Sequence, residues 1–172
     1  MVIVETKNLI LLTFTANAMI DVLNGKGSFS DDNTSYELGK GWPINAYKNL
    51  FPYKISRFQS HPEEEEYEGI IIRKKDQLVI GDMGFKGGPD KHGIMEIGYS
   101  ILPQYQGNGY ATEMGKAFCQ WGMNKENVHK IIATCSIYNH ASIRVLEKIG
   151  MKKLYEELEK YYWELPYSQL NQ

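Results

Sequence analysis

A strand, a two-glycine loop, an amphipathic helix and a second strand follow one another between residues 94 and 135, and that order restricts the fold more than anything else in the chain. Residues 94–101 read as a strand. Beyond Pro103, the apolar residues Tyr110, Ala111, Met114, Ala117, Phe118 and Trp121 recur at helical spacing, the stripe of a helix that covers a sheet. Residues 130–135 then read as a further strand, so the segment is a βαβ unit with two parallel strands and a right-handed crossover. The junction between strand and helix is Gln104-Tyr105-Gln106-Gly107-Asn108-Gly109-Tyr110-Ala111. The first N–H groups of a helix have no partner within it, the helix dipole is positive there, and two glycines let a ligand approach the backbone. By itself the pattern admits either a phosphate cradle or a plain tight turn. The dinucleotide fingerprint G-x-G-x-x-G fails at Thr112, and no Gly-Lys-Ser or Gly-Lys-Thr of a Walker loop occurs.

Around this unit the chain reads as one domain, residues 1–172, without repeat, linker or composition break. Residues 9–14 predict a strand, and Ala16, Met19, Ile20 and Leu23 a helix. Residues 25–41 are rich in Gly, Ser, Asp and Asn and predict a loop; Trp42-Pro43 then opens a helix through Leu50. Glu63 to Glu66 form a like-charge run expected to sit in water as a loop, though such a run could also attract a cationic amine. Residues 70–72 and 78–80 predict an antiparallel hairpin that continues into residues 94–101 as a meander. A helix over residues 141–149 ends at Gly150. In the tail, Leu154, Leu158, Tyr161, Tyr162 and Leu165 fit a helix, while Tyr161-Tyr162-Trp163 favours a strand; local propensity leans to helix.

Nineteen Lys and Arg against 21 Asp and Glu give a net charge of −2, which supplies no electrostatic footprint for nucleic acid. A chain 42% hydrophobic is too apolar for disorder, and no run reaches the roughly 18 apolar residues of a membrane span. Lys7, the apolar residues 9–14 and Ala16-Asn17-Ala18 mimic a signal peptide, but Glu5 offsets the charge and the apolar run is short. The two cysteines, Cys119 and Cys135, make no disulfide framework, and the expected setting is a reducing cytoplasm.

Met95-Glu96-Ile97-Gly98-Tyr99-Ser100-Ile101, then Pro103, then Gln106-Gly107-Asn108-Gly109-Tyr110-Ala111-Thr112-Glu113, resembles the acetyl-CoA-binding motif (Q/R-x-x-G-x-G/A) of the GNAT superfamily of N-acetyltransferases. Asn139-His140-Ala141-Ser142-Ile143-Arg144-Val145-Leu146-Glu147-Lys148-Ile149-Gly150-Met151 is similar to the second signature of that family, N-x-x-S-x-x-x-L-E-K-x-G-F, in the family's order and spacing. The Asn–Ser form and Gly-Tyr-Ala-Thr-Glu look like the ribosomal-protein N-acetyltransferase-like (RimJ/RimL-type) branch. The resemblance implies an α/β (α+β) fold: a mixed central sheet of about seven strands, splayed between the fourth and fifth, with about four flanking helices. It also implies that the tail is two antiparallel strands, against propensity. Acetyl-CoA would be the co-substrate. Backbone groups of Ile101 and Leu102 would bond the pantetheine, and the main-chain N–H groups of Gln106, Gly107, Asn108, Gly109, Tyr110 and Ala111 the pyrophosphate. Asn139 would bond the cofactor arm, and a backbone N–H near Tyr99 would assist the thioester carbonyl.

The implied activity is direct transfer of acetyl from acetyl-CoA to a primary amine in a ternary complex. A lysine-like amine with a pKa near 10.4 is free base in only about 1 in 10³ molecules at neutral pH, so a group or a water chain must take its proton. Glu96 matches the position where family members carry a glutamate base; the competing reading is a glutamate on a solvated strand face. Many relatives protonate the leaving thiolate with a tyrosine four residues before the final glycine, where this chain has Leu146. Ser142, Tyr138 or solvent is left for that step. Met151 replaces the family phenylalanine. The four histidines lack ligand spacing, so no metal is expected, and both cysteines are expected to be buried structural thiols, an acyl-cysteine intermediate being the lesser reading. The rival reading is an acyl-CoA-binding sensor or regulatory domain with little turnover; a nucleotide-binding structural domain is a third. The acceptor, a protein N-terminus or a small-molecule amine, is not encoded in any motif, though residues 25–60 and 86–93 would choose it. Trp42, Tyr47, Phe51 and Tyr53 fit either an acceptor pocket or a core, and an exposed edge strand could support a homodimer.

Overall fold

The computed structural model describes residues 1–166. Among them ten strands alternate with five α-helices and two 3₁₀ turns. The chain forms two compact units, one of Met1–Gly84 with Tyr99–Tyr110, the other of Phe85–Gly98 with the chain from Ala111 on. The fold class is the expected mixed α/β one, with more strands than the seven anticipated.

In the first unit β1 (Val2–Glu5), β2 (Leu9–Thr13), β5 (Glu68–Arg73) and β6 (Leu78–Phe85) pair antiparallel in that order. The hairpin β3 (Ser28–Asp31) and β4 (Thr34–Leu38) joins it through a parallel contact of β4 with β6. This hairpin corrects the loop expected over residues 25–41. Phe29 and Tyr36 face each other across the register and are buried, while the residues around them are polar, so period-2 alternation is reduced to a single apolar pair.

Helix α1 (Ala16–Leu23) buries Ala16, Met19 and Val22 and is capped by the Thr15 side chain, which accepts the Ala18 N–H at 3.2 Å. Glu65, from 49 residues away, accepts the Ala16 N–H at 2.9 Å, placing a carboxylate at the positive end of the helix. The anticipated helix over residues 42–50 is α2 (Asn45–Lys48), followed by α3 (Phe51–Ser60). The acidic run is a 3₁₀ helix (Pro62–Tyr67), not a solvated loop. Glu64 is buried there because Arg57 forks onto both of its oxygens at 2.9 and 2.6 Å. Phe14 sits among Phe29, Trp42, Tyr47 and Phe51, with ring centroids 5.5–6.3 Å away. Trp42, Tyr47 and Phe51 are therefore core residues; Tyr53 is 69% exposed.

In the second unit β7 (Ile94–Ile101) supplies its first five residues, then come α4 (Tyr110–Met123), β8 (Lys130–Ser136), α5 (His140–Ile149), β9 (Lys152–Glu157) and β10 (Lys160–Glu164). β7 and β8 pair in parallel from Ile94↔Lys130 to Glu96↔Ile132, as the βαβ reading requires. β8 then pairs antiparallel with β10 as far as Ser136, and β10 with β9. The tail is thus the strand pair the family resemblance implied and not the helix of local propensity. Its two-residue turn, Leu158-Glu159, holds both residues at positive φ (51° and 60°), a conformation bulky residues seldom adopt, so nothing local signals a turn. Phe85, Phe118 and Trp121 stack in the core of this unit.

Candidate active site

In the first unit β7 ends at Ile101, and the chain turns through a 3₁₀ step (Pro103–Tyr105) into the glycine loop. The Gln106 amide donates to the Ile101 carbonyl at 2.9 Å and pins the loop to the strand end. Gly107 and Gly109 lie at φ 80° and 76°, and a Cβ built on either meets nothing within 4 Å. The left-handed backbone, not crowding, therefore demands glycine at both, and it leaves the approach to the main chain open. Among the described residues, the N–H groups of Gly107, Asn108 and Gly109 take no backbone partner. Free N–H groups leading into the first turn of α4 suit a phosphate ester. Leu102 differs: its N–H donates to the Ile80 carbonyl and its own carbonyl accepts from Tyr105, both at 2.9 Å, so its backbone is engaged within the fold.

Arg73 was not singled out from the sequence, where it reads as the start of a charged turn. Its guanidinium lies 4.4 Å from the centre of the Tyr105 ring, forks onto Asp76 at 3.1 and 2.6 Å, and reaches the Tyr110 hydroxyl. It thereby ties both ends of the glycine loop to the β5–β6 turn. The Asp76 bond raises the pKa of the guanidinium further and lowers that of Asp76.

The first unit also buries two carboxylates that no sequence pattern announced. Asp82 accepts the Trp42 indole N–H at 3.0 Å and the Ser100 hydroxyl at 2.7 Å. Burial outweighs those bonds and pushes its pKa up to about 7. Glu68 accepts the Tyr47 hydroxyl at 2.5 Å and the Lys54 ammonium at 2.8 Å. Burial first, and the neighbouring Glu68 and Asp82 charges next, raise the Tyr47 phenol well above its ordinary value.

In the second unit Glu96 stands at the last paired position of the parallel ladder. Its Oε1 accepts the Lys86 ammonium at 2.7 Å and the Thr134 hydroxyl at 2.9 Å, and its side chain is 27% exposed. Thr134 lies on the same face of β8 as Ile132, the partner of Glu96, and was missed because an isolated strand threonine carries no motif. Asn139 is the N-cap of α5, its Oδ1 accepting the Ser142 N–H at 3.1 Å. Tyr138 is exposed, and its hydroxyl makes a long 3.4 Å bond to Glu159. Ser142 is half-buried in the first turn of α5, and Leu146 and Met151 are buried. Gly150 closes the helix in the left-handed region. Both thiols are buried; desolvation pushes Cys119 up to about 12, and burial raises Cys135. Neither is disposed to act as a nucleophile. Among the described residues no three His, Cys, Asp or Glu side chains gather as a metal site, and no helix is long and apolar enough to cross a membrane.

Each unit carries one part of the pattern: the first a glycine loop with open main-chain N–H groups, the second a parallel ladder that stops at Glu96. The acetyltransferase (GNAT) domain family matches residues 17–152, and the chain belongs to that family. It is an acyltransferase that uses acetyl-CoA as co-substrate. The uncharacterised N-acetyltransferase YjdG of Bacillus subtilis is 28% identical over 164 residues, 95% of this chain and 97% of that one. Among solved structures, a GNAT-family acetyltransferase from Bacillus anthracis superposes with TM-score 0.62 at 21% identity, covering 94% of this chain and 96% of its own. RimJ of Mycobacterium smegmatis, in complex with a CoA-disulfide, superposes with TM-score 0.63 at 15% identity, covering 95% and 84%. At these identities the two structures speak for the fold alone.

Proposed function

We propose that this chain moves the acetyl group of acetyl-CoA to a primary amine by direct transfer in a ternary complex, with Glu96 as general base. The observation that carries the reading is the Lys86–Glu96 contact. A general base must lie within about 2.6–3.2 Å of the nitrogen whose proton it takes, and Glu96 already holds an alkylammonium at 2.7 Å where the ladder ends. Thr134 fixes the carboxylate by donating to the same oxygen.

The loop N–H groups of Gln106, Gly107, Asn108, Gly109, Tyr110 and Ala111 hold the pyrophosphate, Ile101 and Leu102 flank the pantetheine, and Asn139 bonds the cofactor arm while capping α5. The Ile101 carbonyl and both backbone groups of Leu102 have partners within the fold, which a bound pantetheine would share or displace. A backbone N–H near Tyr99 assists the thioester oxygen. With Leu146 buried where a tyrosine acid would stand, the leaving thiolate takes its proton from Ser142, from Tyr138 or from solvent. The 172 residues act as one catalytic domain of the ribosomal-protein N-acetyltransferase-like branch, in the cytoplasm, on a protein N-terminus or a small amine; residues 167–172 lie outside the described structure. The exposed edge strand β9 supports pairing with a second copy.

The test is thiol release from acetyl-CoA against N-terminal peptides, polyamines and aminoglycosides, run beside Gly109→Glu. Acceptor-dependent release that Gly109→Glu abolishes bears the reading out. Silence with acetyl-CoA still bound would make the chain a sensor, and silence without binding would remove the acetyl-CoA reading altogether.

A further inference from the structure

Lys86 is the first residue after β6, at the head of the loop over residues 86–93, and its backbone N–H donates to the Glu96 carbonyl at 2.9 Å. Its side chain then runs back over β7. A Cβ built on Gly98 would come within 3.2 Å of Lys86 Cε, so the lysine stem occupies the space that the missing side chain at position 98 leaves open. From there Nζ reaches Glu96 Oε1 at 2.7 Å, beside the Thr134 hydroxyl at 2.9 Å on the same oxygen. The Lys86 side chain is 55% exposed and the Glu96 side chain 27%. An ion pair so exposed contributes little to stability, so the fold does not require it.

What the contact reproduces is the ground state of amine acetylation: a primary ammonium on an alkyl stem, lying over a glycine, with one proton aimed at the carboxylate that is to take it. We infer that Lys86 is an acceptor in cis, and that the chain acetylates its own Lys86 when no other amine is present. The inference rests on the reading that Glu96 is the base and acetyl-CoA the donor. Lys86 Nζ gives one proton to Glu96, and its freed lone pair forms a C–N bond to the thioester carbonyl carbon. The C–S bond breaks with its electron pair on sulfur. The thiolate takes up a proton, matching the second one lost by nitrogen, and the first passes from Glu96 to water. One acetyl-CoA and one lysine ammonium thus give acetyl-lysine, coenzyme A and a proton. The product is uncharged, so Glu96 loses its cationic partner and the seat over Gly98 is filled by an amide. Self-acetylation therefore ends after one acetyl group per chain.

The experiment incubates the full chain with acetyl-CoA carrying an isotopically labelled acetyl group, without added amine, and follows intact mass and peptide maps. One label per chain is expected, at Lys86, and faster than at the exposed lysines Lys91 and Lys148 by the roughly 10²–10⁴-fold that a positioned base supplies. Glu96→Gln should bring Lys86 down to the rate of those lysines, and Lys86→Arg should remove the label. An amine that drives coenzyme A release should protect Lys86 in proportion to its occupancy. Lys86 labelling no faster than Lys91 while added amines are turned over overturns the in-cis acceptor alone. The same result with silence for every amine overturns the transferase reading as well.

Discussion

The three notable carboxylates divide by unit. Glu68 and Asp82, in the first, are 3% and 4% exposed and held by side chains that are themselves packed. Glu96, in the second, is reached by solvent and held by one half-exposed lysine and one threonine. A buried carboxylate with fixed donors is part of the fold, because removing a partner strands a charge or a polar group in low dielectric. A carboxylate that must take a proton from an incoming amine and return it to water needs a partner that can leave. Accessibility, more than the number of hydrogen bonds, therefore separates the structural acids from the proposed base.

The contrast is broken most severely at Glu68. Glu68→Gln leaves the nearly buried Lys54 ammonium without its counter-charge and should cost about 3–5 kcal/mol in denaturant titration, whereas Glu96→Gln should change stability by less than about 1 kcal/mol. Equal losses at the two positions would erase the distinction.

Asp82 sharpens it through pH. Its pKa is raised in the folded state, from an ordinary 3.8 to about 7, so the folded chain holds that proton more tightly than the unfolded one. Its contribution to stability is full below pH 3.8 and is lost as pH rises toward 7. Thermal melts of Asp82→Asn should accordingly show a smaller fall, or a larger rise, in Tm over that window than the parent chain. Parallel profiles would contradict the burial argument.

Smaller effects are expected around the thioester sulfur and the base. Thr134→Val removes the second donor to Glu96 and should lower kcat severalfold with KM for acetyl-CoA unchanged. Ser142→Ala should slow kcat by less, and Tyr138→Phe, whose hydroxyl sits on an exposed 3.4 Å bond, should leave it within about twofold. A larger loss in Tyr138→Phe than in Ser142→Ala would reassign the thiolate's proton donor.

The same division governs how much the sequence could reveal. The βαβ core was legible because its signals are local and redundant: alternation in residues 94–101, the stripe from Tyr110 to Trp121, and glycines where the backbone turns left-handed. Glu96, Asn139 and Ser142 were singled out through motif resemblance, and the structure gives Asn139 a capping role. The β3–β4 hairpin was hidden because, of its residues, just Phe29, Tyr36 and the terminal Leu38 face the core, too few for a clear alternation. The acidic run misled because Arg57 and the Ala16 N–H, both distant in sequence or on another helix, neutralise Glu64 and Glu65. Lys86, Thr134, Arg73 and the Asp82–Ser100 contact belong to pairs made only by the folded sheet, and no spacing along the chain encodes them.

The central claim is that Glu96 takes the proton from the acceptor amine. Its most direct test is the initial rate of acetyl transfer by Glu96→Gln to an acceptor with a lysine-like amine, measured beside its affinity for acetyl-CoA. The account predicts a fall in rate of about 10²–10⁴-fold with acetyl-CoA bound as tightly as by the parent chain. A Glu96→Gln rate matching that of the parent would return Glu96 to a solvated strand face.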